Sequence, residues 1–141
     1  LTDLRDDPEQ ALGQSVVVSA DMAHAHHPNW QDLHDKQHAP RINQGVVVKA
    51  NASDRYATTG ETTAMWHAIC DAADAPVQAY VVRQDLACGT TIGPITAASL
   101  GARVVDVGCP MWAMHSSAET LGVQDLDAMV RSMRVFLTGR S

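Results

Sequence analysis

The chain has 141 residues and a formal net charge of −6, with an isoelectric point near 5.5. Its content of 45% hydrophobic and 18% charged residues is typical of one packed globular domain, or of part of a larger one, rather than of a disordered tail. Aspartate and glutamate outnumber lysine and arginine by 16 to 10, and no basic cluster is present, so no nucleic-acid partner is expected. No apolar run approaches the roughly 20 residues that span a bilayer, so no membrane partner is expected either.

The cysteines and the start of the chain indicate where such a protein is found and how complete it is. Cys70, Cys88 and Cys109 are odd in number and widely spaced, which favours reduced thiols and a cytoplasmic location over a disulfide framework. The chain begins with Leu1 rather than methionine, and residues 1–7 have a weak, charged pattern. We therefore expect an incomplete chain, cut out of a longer protein.

The first predicted elements are two strands separated by a long polar segment. Residues 14–20 (QSVVVSA) form a β-branched run that predicts a strand buried on both faces. Residues 21–44 are rich in histidine and are broken by two prolines, which predicts a loop. A loop of this length is either a site or a mistaken assignment. A second strand is expected at 45–51 (GVVVKAN).

Helices and strands then alternate to the end of the chain. The capping-box pattern Thr58-x-x-Glu61 predicts a helix over 58–74. The remaining elements are a strand, a short helix, a strand and a final helix, at 77–82, 94–100, 103–107 and 125–137. The apolar face of the final helix is expected to contain Leu126, Met129, Val130, Met133, Phe136 and Leu137. This order predicts an α/β fold with a mostly parallel sheet flanked by helices.

Polar loops follow three of the predicted strands, and the carboxyl ends of parallel strands are where sites form in such folds. Asp21 comes directly after the first strand and is followed by several histidines, while His115 lies in the loop after the last strand. A carboxylate and an imidazole suit Zn²⁺ if further ligands come from elsewhere. Two plainer interpretations stay open, namely a turn or capping role for Asp21 and a packing role for His115.

Other chemistries have weaker support in the sequence. The segment 88–94 (CGTTIGP) has the glycine and threonine content of an anion-binding loop, but it lacks the ending of a phosphate-binding P-loop. Ser116 lies in no GxSxG elbow, and small buried thiols are common enough that a packing role is favoured over a nucleophilic one for Cys88 and Cys109. A nucleotide site is therefore not expected.

Four segments, in this order and spacing, strongly resemble the C-terminal part of the aspartyl aminopeptidase family of dinuclear zinc metallopeptidases. They are 19–29 (SADMAHAHHPN), 38–58 (HAPRINQGVVVKANASDRYAT), 88–94 (CGTTIGP) and 105–116 (VDVGCPMWAMHS). The resemblance covers roughly 19–137. It implies a phosphorylase/hydrolase-like α/β catalytic domain, of which 1–141 is the C-terminal portion without the upstream portion and without the family's inserted oligomerisation domain.

The resemblance also implies a reaction and a set of residues. The family releases N-terminal, preferably acidic, amino acids from peptides with free N-termini, using water that two zinc ions activate. Asp21 and His115 resemble metal ligands, while His24, Lys49 and Tyr56 resemble substrate-binding residues. The other ligands and the general-base glutamate are expected upstream, so this chain should contain no catalytic residue and should be inactive alone. A homo-oligomer is implied for the full-length protein.

Two other functions remain open from the sequence. The chain could be a non-catalytic metal-binding or interaction module that keeps the fold without the reaction. It could also be a hydrolase that uses Ser116 or Cys109, which predicts activity that chelators do not abolish.

Overall fold

The computed structural model describes residues 7–139, so residues 1–6, with most of the weakly patterned start of the chain, lie outside the described residues. Within this range the helices are α1 (Pro8–Gln14), α2 (Gly60–Ala72), α3 (Gly93–Leu100) and α4 (Val123–Thr138), with a 3₁₀ turn at Gln31–Leu33. The strands are β1 (Val16–Ala20), β2 (Ala23–His24), β3 (Val46–Ala50), β4 (Val77–Val81), β5 (Arg103–Gly108), β6 (Pro110–Trp112) and β7 (Thr120–Leu121). None of the helices in 7–139 is long and apolar enough to cross a membrane.

The larger sheet has the strand order β1-β5-β3-β4. Strands β1 and β5 are parallel, as are β3 and β4, but the central pair β3 and β5 is antiparallel. The predicted α/β fold with a mostly parallel sheet flanked by helices is confirmed. Because of the antiparallel pair, the carboxyl ends of β1 and β5 lie at the end of the sheet where β3 and β4 begin.

The two faces of this sheet have different neighbours, since side chains alternate along each strand. On one face, Val46, Val48, Val105 and Val107 pack against α2 and α4 around the buried Trp66. On the other face, valine and tyrosine side chains from β3 and β4 form a second, smaller apolar cluster. This second face is the one on which the polar side chains of the candidate site lie.

The start of α2 corrects one sequence prediction. The helix begins at Gly60, and its capping box is formed by Thr59 and Thr62 rather than by Thr58 and Glu61. Thr58 is occupied elsewhere, because its Oγ1 accepts a hydrogen bond from the backbone N–H of Asp106 on β5. The sheet contact therefore decides which threonine caps the helix.

The buried face of α4 also differs from the predicted one. The residues most fully buried on it are Asp125, Ala128 and Ser132, whereas three of the predicted apolar residues, Leu126, Val130 and Leu137, are exposed. Met129, Met133 and Phe136 are partly buried against the core, as expected. Small side chains let the helix approach the sheet closely, so tertiary packing overrides the apolar pattern.

Two features differ from what the sequence predicts. Helix α1 lies over residues for which the sequence predicts no helix, and Asp7 caps it by accepting the N–H of Gln10. Strands β2, β6 and β7 form a second sheet within segments predicted as loops. Strands of two or three residues have no periodic signal in the sequence, so only the pairing of distant segments reveals them.

Candidate active site

The five residues singled out from the sequence line one cavity of about 660 Å³ on the second face of the larger sheet. They are Asp21, His24, Lys49, Tyr56 and His115. Segment 87–91 of the loop after β4 lines the same cavity, so all three polar loops reach it. Because β3 and β5 are antiparallel, the three loops do not follow parallel strands that end at the same edge of the sheet. They come together instead around a cavity on one face of the sheet.

Asp21 is held in place by its backbone at the end of β1. Its N–H donates to the carbonyl oxygen of Val107 at 2.9 Å, which extends the β1 and β5 pairing by one residue. Gly108 is needed there, since a Cβ at that position would lie 1.8 Å from the carbonyl oxygen of Asp21. The carboxylate itself is 54% exposed and therefore remains accessible to a ligand.

Lys49 is almost fully buried, at 1% exposure, although it carries an ammonium group. Its Nζ lies 3.2 Å from Oδ2 of Asp21 and 3.2 Å from the carbonyl oxygen of Met22, and it lies 5.3 Å from the centre of the Tyr56 ring. Burial lowers the pKa of Lys49, and the Asp21 carboxylate acts in the opposite direction. An ammonium has three N–H donors, so the pair of oxygen acceptors leaves one donor for a bound anion.

The two histidines approach the same cavity from different elements. His24 lies on β2, and burial, followed by the charges of His115 and Lys49, lowers its pKa. A neutral His24 is thus favoured at neutral pH, with one ring nitrogen as a donor and the other as an acceptor. His115 is exposed, has a positive φ of 69°, and its N–H donates to Oε1 of Glu119 at 2.6 Å.

Tyr56 and Tyr80 form the apolar floor beside Lys49. Their rings are 6.4 Å apart, and the Tyr56 hydroxyl accepts a hydrogen bond from the Cys88 thiol at 3.5 Å. Burial raises the pKa of Tyr56 and raises that of Tyr80 to about 12, so both are neutral donors at neutral pH. Tyr80 was not singled out from the sequence, because a tyrosine inside a strand carries no signal that separates lining from packing.

Asp106 is a second residue that the sequence did not single out. It is fully buried on β5, where its carboxylate accepts the N–H of Ala57 and the hydroxyl of Thr91, each at 2.6 Å. Ala57 follows Tyr56, and Thr91 itself lines the cavity, so one carboxylate anchors two cavity loops. The sequence feature that could have indicated Asp106 is its position as the lone aspartate in the apolar run RVVDV.

The alternative nucleophiles gain no support from their surroundings. Burial, followed by the charge of Asp125, raises the pKa of the Cys109 thiol to about 11, so it is protonated at neutral pH. Ser116 is exposed, and its Oγ accepts the N–H of Ala118. The hydroxyl of Thr90, in the glycine and threonine loop, donates to the carbonyl oxygens of Arg55 and Thr91.

The donor chemistry of Asp21 and His115 fits zinc, which accepts carboxylate oxygen and imidazole nitrogen. Within residues 7–139, however, no group of three or more histidine, cysteine, aspartate or glutamate side chains is arranged to hold a metal ion. Asp21 and His115 line one cavity and are compatible with two positions of a ligand set that needs further donors. The individual roles of the five residues remain predictions.

Comparisons with known proteins agree with this architecture. A "Probable M18 family aminopeptidase 2" of Stutzerimonas stutzeri is 48% identical over 131 residues, which is 93% of this chain and 30% of that protein. The cryo-EM structure of the Ape4 and Nbr1 complex contains a chain that is 43% identical, with a TM-score of 0.82 over 86% of this chain and 23% of that one. The mApe1 dodecamer of S. cerevisiae is 27% identical, with a TM-score of 0.82 over 93% of this chain and 28% of that one.

The chain thus spans about 30% of the length of the curated relative. The model of the family described as aminopeptidase I zinc metalloprotease (M18) matches residues 2–137, which is nearly the whole chain. Together with the sequence relative and the structures of similar fold, this match confirms the resemblance seen in the four sequence segments. The chain belongs to the aminopeptidase I (M18) family of zinc metalloproteases.

Proposed function

We propose that the complete protein carrying this chain is a zinc aminopeptidase that releases acidic residues from the N-termini of peptides. The observation that supports this proposal best is the juxtaposition, in one cavity, of a buried ammonium with a carboxylate and an imidazole that suit zinc. An N-terminal aspartate or glutamate would place its side-chain carboxylate beside Lys49 and its scissile carbonyl beside Asp21 and His115.

Each of these residues of the chain has its own role in the proposed reaction. Asp21 and His115 would hold zinc, which, when bound as a pair of ions, polarises the scissile carbonyl and activates water. Lys49 binds the acidic side chain through a charge-assisted hydrogen bond, and the Tyr56 ring below it limits its movement. The neutral His24 offers one donor and one acceptor for orienting the substrate backbone. The general base is supplied by a glutamate outside this chain.

Three further properties complete the proposal. The isolated 141-residue chain is inactive, because its described part has no complete ligand set. The full-length protein is a homo-oligomer, which the dodecamer formed by the S. cerevisiae relative supports. Its location is the cytoplasm, which the odd number of unpaired cysteines supports.

Replacing Lys49 with alanine tests the proposed specificity. In the complete, zinc-loaded protein, Lys49→Ala should lower kcat/KM for an N-terminal aspartate at least ten-fold more than for an N-terminal leucine, because a charge-assisted contact exists only with the acid. The assay compares aspartyl and leucyl anilides. Lys36→Ala is the matched control, since Lys36 is the other lysine of the chain and is exposed. An equal loss on both substrates would remove the acidic preference, and turnover by the isolated chain would contradict its inactivity.

A further inference from the structure

A second cavity of about 600 Å³ adjoins the first and shares a wall with it. The shared residues are His24, Tyr80, Val82, Ala87 and Met114. Asp21, Lys49, Tyr56 and His115 line the first cavity but not the second. Because Met114 directly precedes His115, the second cavity begins next to one of the two predicted metal ligands.

The second cavity is lined by large apolar and aromatic side chains. They include Trp30, Leu33, Leu86, Met111 and Trp112. None of the described residues that line it is an aspartate, glutamate, lysine or arginine, in contrast to the first cavity with Asp21 and Lys49. Burial, with the charge of His26 next, lowers the pKa of His34 in its wall, so this imidazole is mostly neutral at neutral pH. A surface of this composition suits an uncharged aromatic or aliphatic group.

The inner wall of the second cavity is fixed by the small sheet. His24 on β2 is in register with Met111 on β6, and the Trp112 indole N–H donates to the carbonyl oxygen of His26 at 2.9 Å. The rings of His27 and Trp112 pack in a T-shaped arrangement, with ring centres 5.7 Å apart. These contacts hold the Trp112 part of the wall in place before any ligand binds, which lowers the entropic cost of binding.

We propose that the second cavity binds the side chain of the substrate's second residue and selects aromatic and large aliphatic side chains there. This inference rests on the proposed aminopeptidase function. Neighbouring Cα atoms of a peptide are 3.8 Å apart. A peptide whose first side chain occupies the cavity beside Lys49 therefore brings its second side chain to the shared wall. The preferred substrates have an acidic first residue followed by an apolar second residue.

The test uses the complete, zinc-loaded protein and two dipeptides, Asp-Phe and Asp-Gly. We expect kcat/KM to be at least about ten-fold higher for Asp-Phe, which is the usual discrimination of an apolar pocket. Leu33→Ala and Trp30→Ala should each reduce this ratio about three-fold or more. Leu126→Ala is the matched control, because Leu126 is 51% exposed on α4 and Leu33 is 50% exposed at the second cavity. The control should keep the wild-type ratio.

A binding measurement separates this inference from the proposed function. Phenylalaninamide, the fragment released from an Asp-Phe amide, should bind to the metal-free protein more tightly than glycinamide, and Leu33→Ala should remove the difference. Equal hydrolysis of both dipeptides by the wild type, or a ratio unaffected by Leu33→Ala and Trp30→Ala, would overturn the inference and leave the proposed function intact. If no dipeptide is hydrolysed, the proposed function fails, and equal binding of the two amides would then overturn the inference as well.

Discussion

Asp106 is a single buried residue on which the shape of the first cavity depends. Its carboxylate accepts donors from two loops that are 34 residues apart in the chain, at Ala57 and Thr91. Gly93 approaches so closely that a Cβ there would lie 2.4 Å from Oδ2 of Asp106. A buried carboxylate of this kind stabilises the cavity mainly by accepting hydrogen bonds from the two loops, rather than by its charge. Without it, each of the two donors would be left without a partner.

The positioning role of Asp106 can be tested with Asp106→Asn. The amide keeps the shape but has one oxygen acceptor, so one of the two loops loses its anchor. We expect KM for an aspartyl substrate to rise about ten-fold with a smaller change in kcat, measured in the complete protein. Thr91→Val should shift KM in the same direction, and the exposed Asp71→Asn should not. A purely structural role would instead lower the active fraction and leave KM unchanged.

Cys109 provides a second test at a single residue, because its pKa is raised to about 11. At pH 8 only about one in a thousand such thiols is a thiolate, and the fraction rises as the pH approaches 11. Iodoacetamide should therefore modify the half-buried Cys88 of the folded protein well before Cys109. Peptide mass spectrometry after unfolding in guanidinium serves as the control, since all cysteines should then react. Rapid labelling of Cys109 in the folded protein at pH 8 would favour the nucleophile hypothesis.

At the level of elements, α4 is attached to the sheet by polar contacts as well as by apolar packing. Asp125, fully buried near its start, accepts the backbone N–H groups of Asn43 and Gly45 at 2.6 and 2.7 Å. Gly45 directly precedes β3, and its φ of +107° brings it so close to Pro76 that a Cβ would clash. The helix thereby fixes the point at which β3 enters the sheet, and β3 carries Lys49.

Removing this attachment should destabilise the fold strongly. Asp125→Ala leaves two buried N–H groups without an acceptor, and we expect the free energy of unfolding to fall by about 3 kcal/mol. Asp127→Ala is the control on the same helix, since its exposed ion pair with Arg131 should contribute about 0.5 kcal/mol. Urea unfolding followed by circular dichroism gives both values. A similar effect of the two substitutions would contradict the proposed attachment of α4.

At the scale of the whole molecule, the site is built on one face of a sheet whose other face is covered by α2 and α4. The apolar face stabilises the sheet, and the opposite face carries Lys49 on β3, Tyr80 on β4 and Asp106 on β5. This division explains how residues from β1, β2, β3, β4, α3 and four connecting segments reach a common cavity. Within the described residues, this face of the sheet holds no complete metal-ligand set.

Zinc binding tests this division. We expect the isolated chain to bind zinc at least a hundred-fold more weakly than the complete protein, because Asp21 and His115 alone cannot surround the ion. Competition with a chromophoric chelator measures both affinities. Asp21→Ala and His115→Ala should each weaken binding further, whereas the exposed His67→Ala on α2 should not. Tight binding of two zinc ions by the isolated chain would overturn the expectation that the remaining ligands lie outside it.

Much of the fold could be predicted from local patterns. The four long strands agree with the predicted strands to within two residues at either end, because apolar runs of this length are a local signal of buried strands. Helix α3 agrees with its prediction to within one residue, because proline at its start and glycine after its end are local signals as well. The capping threonine of α2 was predicted wrongly and the buried face of α4 only in part correctly, since contacts with β5 and with the segment before β3 decide them. The small sheet was missed because its strands are too short to carry a pattern.

By itself, the sequence determined the family, the α/β class and the five candidate residues, because these depend on residue types at fixed positions along the chain. Only the tertiary structure decided that β3 runs against β5, that Asp106 anchors two loops and that a second, apolar cavity adjoins the first. Those features arise when segments far apart in sequence pack together, and the free energy of that packing is not encoded in any one segment.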